Sequence, residues 1–112
     1  MAHYKSIAFR GSALDDLRSF PESARRDAGY QLDRVQHGHE PDDWKPMPGI
    51  GSGVSEIRIR DGRGAFRIVY VAKFAESVYV LHCFQKKTQR TGKQDLDLAE
   101  TRYRELLKEL EK

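Results

Sequence analysis

The sequence predicts an α+β protein with the element order β-α-α-β-β-β-α, in which two early helices cover one face of a small, mainly antiparallel sheet. Three observations predict this fold class: an amphipathic helical stretch before residue 38, three strand-like segments between residues 54 and 84, and a second amphipathic stretch that runs to residue 110. With 112 residues, the chain (1–112) is long enough for one domain with a single modest core.

The N-terminal third of the chain predicts a strand and two helices. The run YKSIAF, residues 4–9, alternates in a way that predicts a short first strand. Ser12 is placed to cap a helix over residues 13–20, and a second helix should span residues 22–37. Four apolar residues recur at helical spacing in this second helix: Ala24, Ala28, Leu32 and Val35. Gly38 is placed to end it, and the Pro- and Gly-rich segment that follows is predicted to be a long loop.

Three strands with short connections are predicted next, as an antiparallel meander. In VSEIRIRD, the isoleucines face one way and three charged residues face the other: Glu56, Arg58 and Arg60. In GRGAFRIVYVA, one face carries Phe66, Ile68 and Tyr70, and the opposite face carries Arg67, Val69 and Val71. The run SVYVLHCF is the most β-like of the chain and is expected to form a central strand.

The C-terminal segment DLDLAETRYRELLKEL predicts a final helix over residues 95–110, which Asp95 caps. Its apolar stripe comprises Leu96, Ala99, Tyr103, Leu106 and Leu110. This helix is expected either to pack on the sheet or to swing away from it.

Composition excludes several classes of protein. Charged residues make up 33% of the chain, and no apolar run approaches the roughly 20 residues that span a bilayer. The start, MAHYKSIAFRGS, contains no apolar signal-peptide core, so a cytoplasmic location is expected. Cys83 is the only cysteine, which excludes an internal disulfide and a cysteine zinc site, and neither a metal nor a cofactor is expected. Cys83 and His82, within the last predicted strand, are interpreted as packed residues, His82 with a hydrogen bond.

The positive charge is unevenly distributed along the chain. The formal net charge is only +3, but residues 56–94 contain nine Lys and Arg against three Asp and Glu. Four of these cations follow the last predicted strand: Lys86, Lys87, Arg90 and Lys93. This asymmetry indicates either a polyanionic partner or a solvated basic surface.

The arginines of the meander are the strongest candidates for a site. Arg58 and Arg67 lie on adjacent predicted strands, on the side that alternation turns away from the isoleucine core, and Lys86 and Lys87 end the next strand. Guanidinium groups bind phosphate through two parallel hydrogen bonds, and converging cations stabilise the charge that develops in phosphoryl transfer. The alternative is that Arg58 pairs with a neighbouring acid, Glu56 or Asp61, on an ordinary solvated surface.

Several segments resemble the RelE/ParE toxin superfamily, in particular its phage-derived HigB-like branch. They are EIRIRD, GAFRIVYVA and VYVLHCFQKKTQRTGKQDLDLAETRYREL, and the resemblance covers nearly the whole chain. Its most specific part is a strand ending in Phe-Gln-Lys-Lys-Thr, followed by Thr-x-Lys and a helix beginning Asp-x-Asp-x-Ala. The resemblance implies the toxin half of a type II toxin–antitoxin pair, with an antitoxin expected to be a helix-turn-helix DNA-binding protein.

The same resemblance implies an endonuclease that cuts messenger RNA on the ribosome. In such toxins the 2′-hydroxyl attacks the adjacent phosphate, which leaves a cyclic phosphate and a free 5′-hydroxyl. No metal is required, because basic side chains orient the RNA and neutralise the developing charge.

Individual residues of this chain match functional positions of the family. Arg67 matches the arginine that holds the scissile phosphate, Lys87 matches a cation that protonates or stabilises the leaving oxygen, and Arg58 matches a lysine that contacts the RNA backbone. Further RNA contacts are expected from Arg60, Lys86, Arg90 and Lys93. Glu56 stands where RelE has another lysine, so the group that takes the proton from the 2′-hydroxyl is unassigned.

Two other interpretations of the resemblance stay open. One is a ParE-like protein that binds and inhibits DNA gyrase without nuclease chemistry. ParE-type members tend to lack the cationic cluster, so the cations of this chain favour the nuclease. The other is an inactive prophage remnant that only binds its antitoxin.

Overall fold

A five-stranded sheet and three helices form the fold in the computed structural model, which describes residues 4–87 and 90–111. The strands are β1 (Ser6–Phe9), β2 (Trp44–Pro46), β3 (Val54–Asp61), β4 (Gly64–Val71) and β5 (Ser77–Lys86). The helices are α1 (Ala13–Arg18), α2 (Glu22–Gln36) and α3 (Lys93–Leu110). The sheet order is β1-β5-β4-β3-β2, in which β1 runs parallel to β5 and all other neighbours are antiparallel.

The helices cover the two faces of the sheet separately. The predicted stripe of α2 is buried, and it packs with α1 against the face that carries Ile57, Ile59, Phe66 and Ile68. On the other face, Ala99, Tyr103 and Leu106 of α3 pack against residues such as Val69 and Leu81. Each apolar stripe therefore has its own side of the sheet, and the predicted α+β class is confirmed.

Several local expectations differ from the structure. The predicted long loop contains β2, a short edge strand that pairs with β3. The Ser12 side chain makes no capping hydrogen bond and donates instead to Asp16. Gly92, rather than Asp95, precedes the first residue of α3, and Leu110 of the predicted apolar stripe is 37% exposed. Gly38 does end α2, with a φ of 84° that only glycine adopts readily.

A β-bulge in β5 was not predicted, and it determines which way the end of the strand faces. Val69 pairs with His82 and Tyr70 pairs with Val80, so Leu81 is the extra residue. Leu81 packs on the α3 side, whereas Val80 packs on the side of α1 and α2. Because a bulge inserts one residue, every later side chain of β5 is shifted to the opposite face from the one that simple alternation gives.

Polar contacts fix α3 against the rest of the molecule. The Arg102 guanidinium donates to the carbonyl oxygen of Leu81 at 2.9 Å, and the Tyr103 hydroxyl donates to that of Ser52 at 2.7 Å. An ion pair joins Arg10 to Glu109. The helix thus packs on the sheet, which is one of the two arrangements expected from the sequence. Within the described part of the chain, no helix has the length and apolar character needed to cross a membrane.

Candidate functional site

Five basic side chains line one open hollow on the α3 side of the sheet. The hollow has a volume of about 820 Å³, and its cations come from three neighbouring strands and the residue after β5. They are Arg58, Arg60, Arg67, Lys86 and Lys87. Among the described residues that line it, Asp61 is the only acid. The structure therefore brings together five of the seven residues that the sequence proposed.

Strand register explains why these cations meet. Arg58 pairs with Arg67 across β3 and β4, Arg67 pairs with Phe84, and Ala65 pairs with Lys86. Side chains directly opposite each other in an antiparallel sheet project from the same face. The bulge at Leu81 is essential here, because it places Lys86 on the face of the two arginines.

Arg67 is the most unusual member of the group because it is 3% exposed. Its Nη1 donates to the carbonyl oxygen of Phe66 at 3.1 Å, and its Nε lies 3.5 Å from Oε1 of Glu56 without forming a hydrogen bond. Burial lowers the pKa of the Arg67 guanidinium, and the carboxylate of Glu56 only partly offsets this effect. An unsatisfied buried cation is costly, so this guanidinium can gain from an anion that supplies acceptors.

The guanidinium of Arg58 is also incompletely hydrogen-bonded. Its Nε is buried and has no hydrogen-bond partner in the described part of the chain. The backbone N–H of Arg58, by contrast, donates to the carbonyl oxygen of Asp43 at 2.8 Å. Two incompletely bonded guanidinium groups on adjacent strands match the requirement of a phosphate for donors on more than one side.

Lys86 and Lys87 stand at the rim of the hollow. Burial, followed by the charges of Arg67 and Arg58, lowers the pKa of Lys86. Lys87 is exposed, and its ammonium donates to the side-chain oxygen of Gln85 at 3.4 Å. The charges of the two arginines therefore act on the Lys86 ammonium, whereas the exposed Lys87 ammonium can contact a ligand from the solvent side.

Glu56 is buried beside Arg67, so it is not the solvent-exposed partner of Arg58 that the alternative interpretation described. The residue is 1% exposed, and its Oε2 accepts a hydrogen bond from the Thr91 hydroxyl at 3.1 Å. Alternation placed Glu56 on the correct face of β3. It could not show that the Thr91 hydroxyl bonds to this carboxylate or that the carboxylate lies beside Arg67.

Two predicted RNA-binding residues lie away from the hollow. Neither Arg90 nor Lys93 is among the described residues that line it, and both are exposed. Lys93 forms an ion pair with Asp97 of the same helix at 2.8 Å. Residues 88–89, which belong to the basic run, lie outside the described residues.

Lys45 is a basic residue of this face that sequence reasoning missed. It lies on β2 directly opposite Glu56, is exposed, and contributes to lowering the pKa of Lys86. The residue falls in a segment predicted to be a loop, so no alternation pattern could assign it to a face. The basic surface thus extends to the outer strand of the sheet.

His82 and Cys83 are packed residues, as predicted. His82 is 5% exposed, its Nε2 lies 2.7 Å from Oδ1 of Asp95, and its ring stacks on Phe84 with centroids 4.9 Å apart. Cys83 is 1% exposed, and burial raises the pKa of its thiol. Residues 4–87 and 90–111 contain no group of three or more His, Cys, Asp or Glu side chains placed to hold a metal ion.

Comparison with known proteins identifies both the family and the fold. The family model described as phage derived protein Gp49-like (DUF891) matches residues 15–104. A mutant of the Escherichia coli toxin RelE in the free state is similar, with 16% identity, a TM-score of 0.62, and coverage of 95% of this chain and 99% of that chain. The RelBE2 toxin–antitoxin complex from Mycobacterium tuberculosis contains a chain with 17% identity and a TM-score of 0.51, over 74% of this chain and 99% of that one. No curated protein matches the sequence significantly.

The family match covers most of the chain, and both structural matches extend over nearly the whole of the similar chain. At this level of identity the structural matches show the fold, and they agree with the order of strands and helices described above. The expected fold and the phage-derived character of the family are therefore confirmed. The chain belongs to the phage-derived Gp49-like family and has the fold of the RelE toxins.

Proposed function

We propose that this protein is the toxin of a type II toxin–antitoxin system and that it cuts messenger RNA on the ribosome. In this proposal the hollow holds the RNA backbone, and the phosphate next to the cleaved bond lies between Arg58 and Arg67. The toxin acts in the cytoplasm, where the ribosome is found, and arrests translation and growth.

The observation that carries the proposal is the state of Arg67. Its guanidinium is buried beside the hollow, and within the described residues its only hydrogen bond is to the carbonyl oxygen of Phe66. A folded protein rarely leaves a buried cation with so few acceptors unless a ligand supplies them. Phosphate supplies several charged oxygens, and guanidinium is the side-chain group whose geometry matches it best.

The arrangement suits transesterification by the RNA itself. The O2′–phosphorus bond forms while the phosphorus–O5′ bond breaks, and negative charge builds up on the phosphate oxygens. Arg58 and Arg67 neutralise that charge, and such preorganised donors are typically worth about 3–4 kcal/mol each in a transition state. Lys87 donates a proton to the leaving O5′, and the proton of the 2′-hydroxyl passes to water, to which the hollow is open.

An antitoxin completes the proposed system. The similar M. tuberculosis chain was solved as part of a toxin–antitoxin complex, which supports a protein partner for this chain. We propose a helix-turn-helix DNA-binding protein as that partner.

The test is controlled expression of the toxin without its antitoxin, followed by mapping of the 5′ ends of transcripts. We expect growth arrest, with new 5′-hydroxyl ends confined to translated regions and lost when translation is blocked. Arg67→Gln should abolish the cuts, whereas Arg26→Ala, which removes an exposed arginine paired with Glu22, should leave them unchanged. DNA breaks with intact transcripts would indicate gyrase inhibition instead, and the absence of any effect would indicate an inactive protein.

A further inference from the structure

Glu56 lies at the centre of a buried contact that joins the arginine of the hollow to the segment before α3. We propose that Glu56 is a positioning residue, which orients the Arg67 guanidinium through charge and ties Thr91 over the sheet without touching RNA. The inference rests on the proposed function in one respect only, namely that the Arg67 guanidinium is what contacts the substrate.

The burial of Glu56 argues against a direct role in the chemistry. At 1% exposure it is the most enclosed charged residue of the described chain, and it does not line the hollow. A base that takes a proton from a 2′-hydroxyl must come within hydrogen-bond reach of that hydroxyl. Glu56 reaches the substrate only through a neighbour, so its influence must be indirect.

The two oxygens of the Glu56 carboxylate have different partners. Oε1 lies 3.5 Å from Nε of Arg67, and Oε2 accepts the hydrogen bond from Thr91. Replacing a buried charge pair by apolar residues is often neutral for stability, so stabilisation of the fold does not by itself explain the Glu56–Arg67 pair. Here the pair fixes one edge of a planar guanidinium, which determines the direction in which its other N–H groups point.

The contact from Thr91 adds a link to the chain that follows β5. Thr91 lies two residues before the start of α3, with Gly92 between them, and it is half-buried. Because its hydroxyl is bonded to the same carboxylate that faces Arg67, the segment before α3 and the guanidinium share one support. Loosening either contact should therefore increase the motion of the guanidinium.

The proposal predicts a separation of binding from catalysis in Glu56→Gln. Removal of one negative charge leaves the hollow more positive, so the affinity for a 2′-O-methyl RNA, which cannot be cut, should stay equal or increase. The value of kcat for ribosome-bound messenger RNA should fall by roughly 100-fold, because a displacement of about 1 Å in a positioned group can cost that much. A residue that only stabilised the fold would change both quantities in the same direction.

A second measurement is independent of cleavage. In the free protein, the Nε–Hε group of Arg67 should exchange with water slowly, and nuclear magnetic resonance should show faster exchange in Glu56→Gln. Thr91→Val should give a smaller change in the same direction, Thr91→Ser should restore the parent behaviour, and Thr101→Val, at an exposed site on α3, is the matched control. If Glu56→Gln does not fold, as judged by circular dichroism, the Thr91 variants decide the question.

The outcomes separate the two proposals. If the parent protein does not cut messenger RNA, the proposed function fails, while the exchange rates still report on the support of Arg67. Parent-like exchange and parent-like kcat in a folded Glu56→Gln, or in Thr91→Val, would overturn the positioning role while leaving the nuclease proposal standing.

Discussion

Arg58 and Arg67 lie directly opposite each other on adjacent antiparallel strands, and the Nε of each is buried without a hydrogen-bond partner among the described residues. Like charges at directly paired positions destabilise a sheet. The protein therefore maintains a local repulsion that an anion between the two groups would relieve. The relationship has consequences for stability and for binding.

Arg58→Met should stabilise the fold and weaken RNA binding together. The substitution keeps most of the apolar stem and removes the repulsion, so the free energy of unfolding in urea should rise by about 0.5–1 kcal/mol. Affinity for 2′-O-methyl RNA should fall by roughly tenfold, as expected for loss of one charge-assisted contact of about 1.5 kcal/mol. A less stable Arg58→Met variant would show that the pair is not repulsive in the folded protein.

Lys45→Ala should reduce the salt dependence of RNA binding. If Lys45 contacts a backbone phosphate, its removal should lower the slope of log K against log salt concentration by about 0.7, the value for one phosphate of a single strand. Lys73→Ala is the control, because Lys73 lies over the rings of Phe74 and Tyr103, away from the hollow. Equal slopes for the two variants would limit the binding surface to β3, β4 and β5.

The pKa of Lys86 should rise when RNA binds. In the free protein it is lowered by burial and by the charges of Arg67 and Arg58, and a bound phosphate opposes those charges. Since the protonated amine binds better, affinity should be greatest below the free-state pKa and decrease as pH rises through it. The ¹³Cε shift of Lys86 against pH, with and without 2′-O-methyl RNA, measures the change. In Arg67→Gln the free-state pKa should already be higher, and a pKa unaffected by that variant would contradict the assignment.

Gly51→Ala should destabilise the protein more than Gly49→Ala. A Cβ at Gly51 would overlap the ring of Tyr103, whose hydroxyl is fixed on Ser52, whereas a Cβ at Gly49 meets no atom within 4 Å. Overpacking of this kind costs about 1–3 kcal/mol, while alanine at an open glycine position is neutral or slightly stabilising. Urea denaturation of both variants checks the difference. Similar losses would mean that the loop moves freely with respect to α3.

Much of the architecture follows from the sequence because its patterns are local. The stripe of Ala24, Ala28, Leu32 and Val35 has helical spacing, and the side chains around Arg67 alternate between the two faces of β4. The two cores and the position of that arginine could therefore be predicted. The meeting of Arg58 with Arg67 also follows, since a short hairpin connects their strands.

Other features depend on contacts between distant segments. Trp44 to Pro46 form a strand because β3 offers them an edge, and no pattern in a run with two prolines indicates that. Glu56 is charged, yet Thr91, 35 residues later, helps to enclose it. The side chain of Asp95 forms a hydrogen bond with the ring of His82 instead of capping α3. A capping rule based on neighbours along the chain could not anticipate this contact.

The inserted residue in β5 has an implication for how such a surface can change. The face of the sheet on which each β5 side chain lies, rather than the composition of the strand, decides whether an ammonium or a thiol is presented to the paired guanidinium groups. If β5 kept Leu81 but paired with β4 without this bulge, Cys83 and Gln85 would face them and Lys86 would lie on the opposite side, although the basic run itself would be intact. Loss of the bulge alone would therefore remove Lys86 from this surface without altering a single cation.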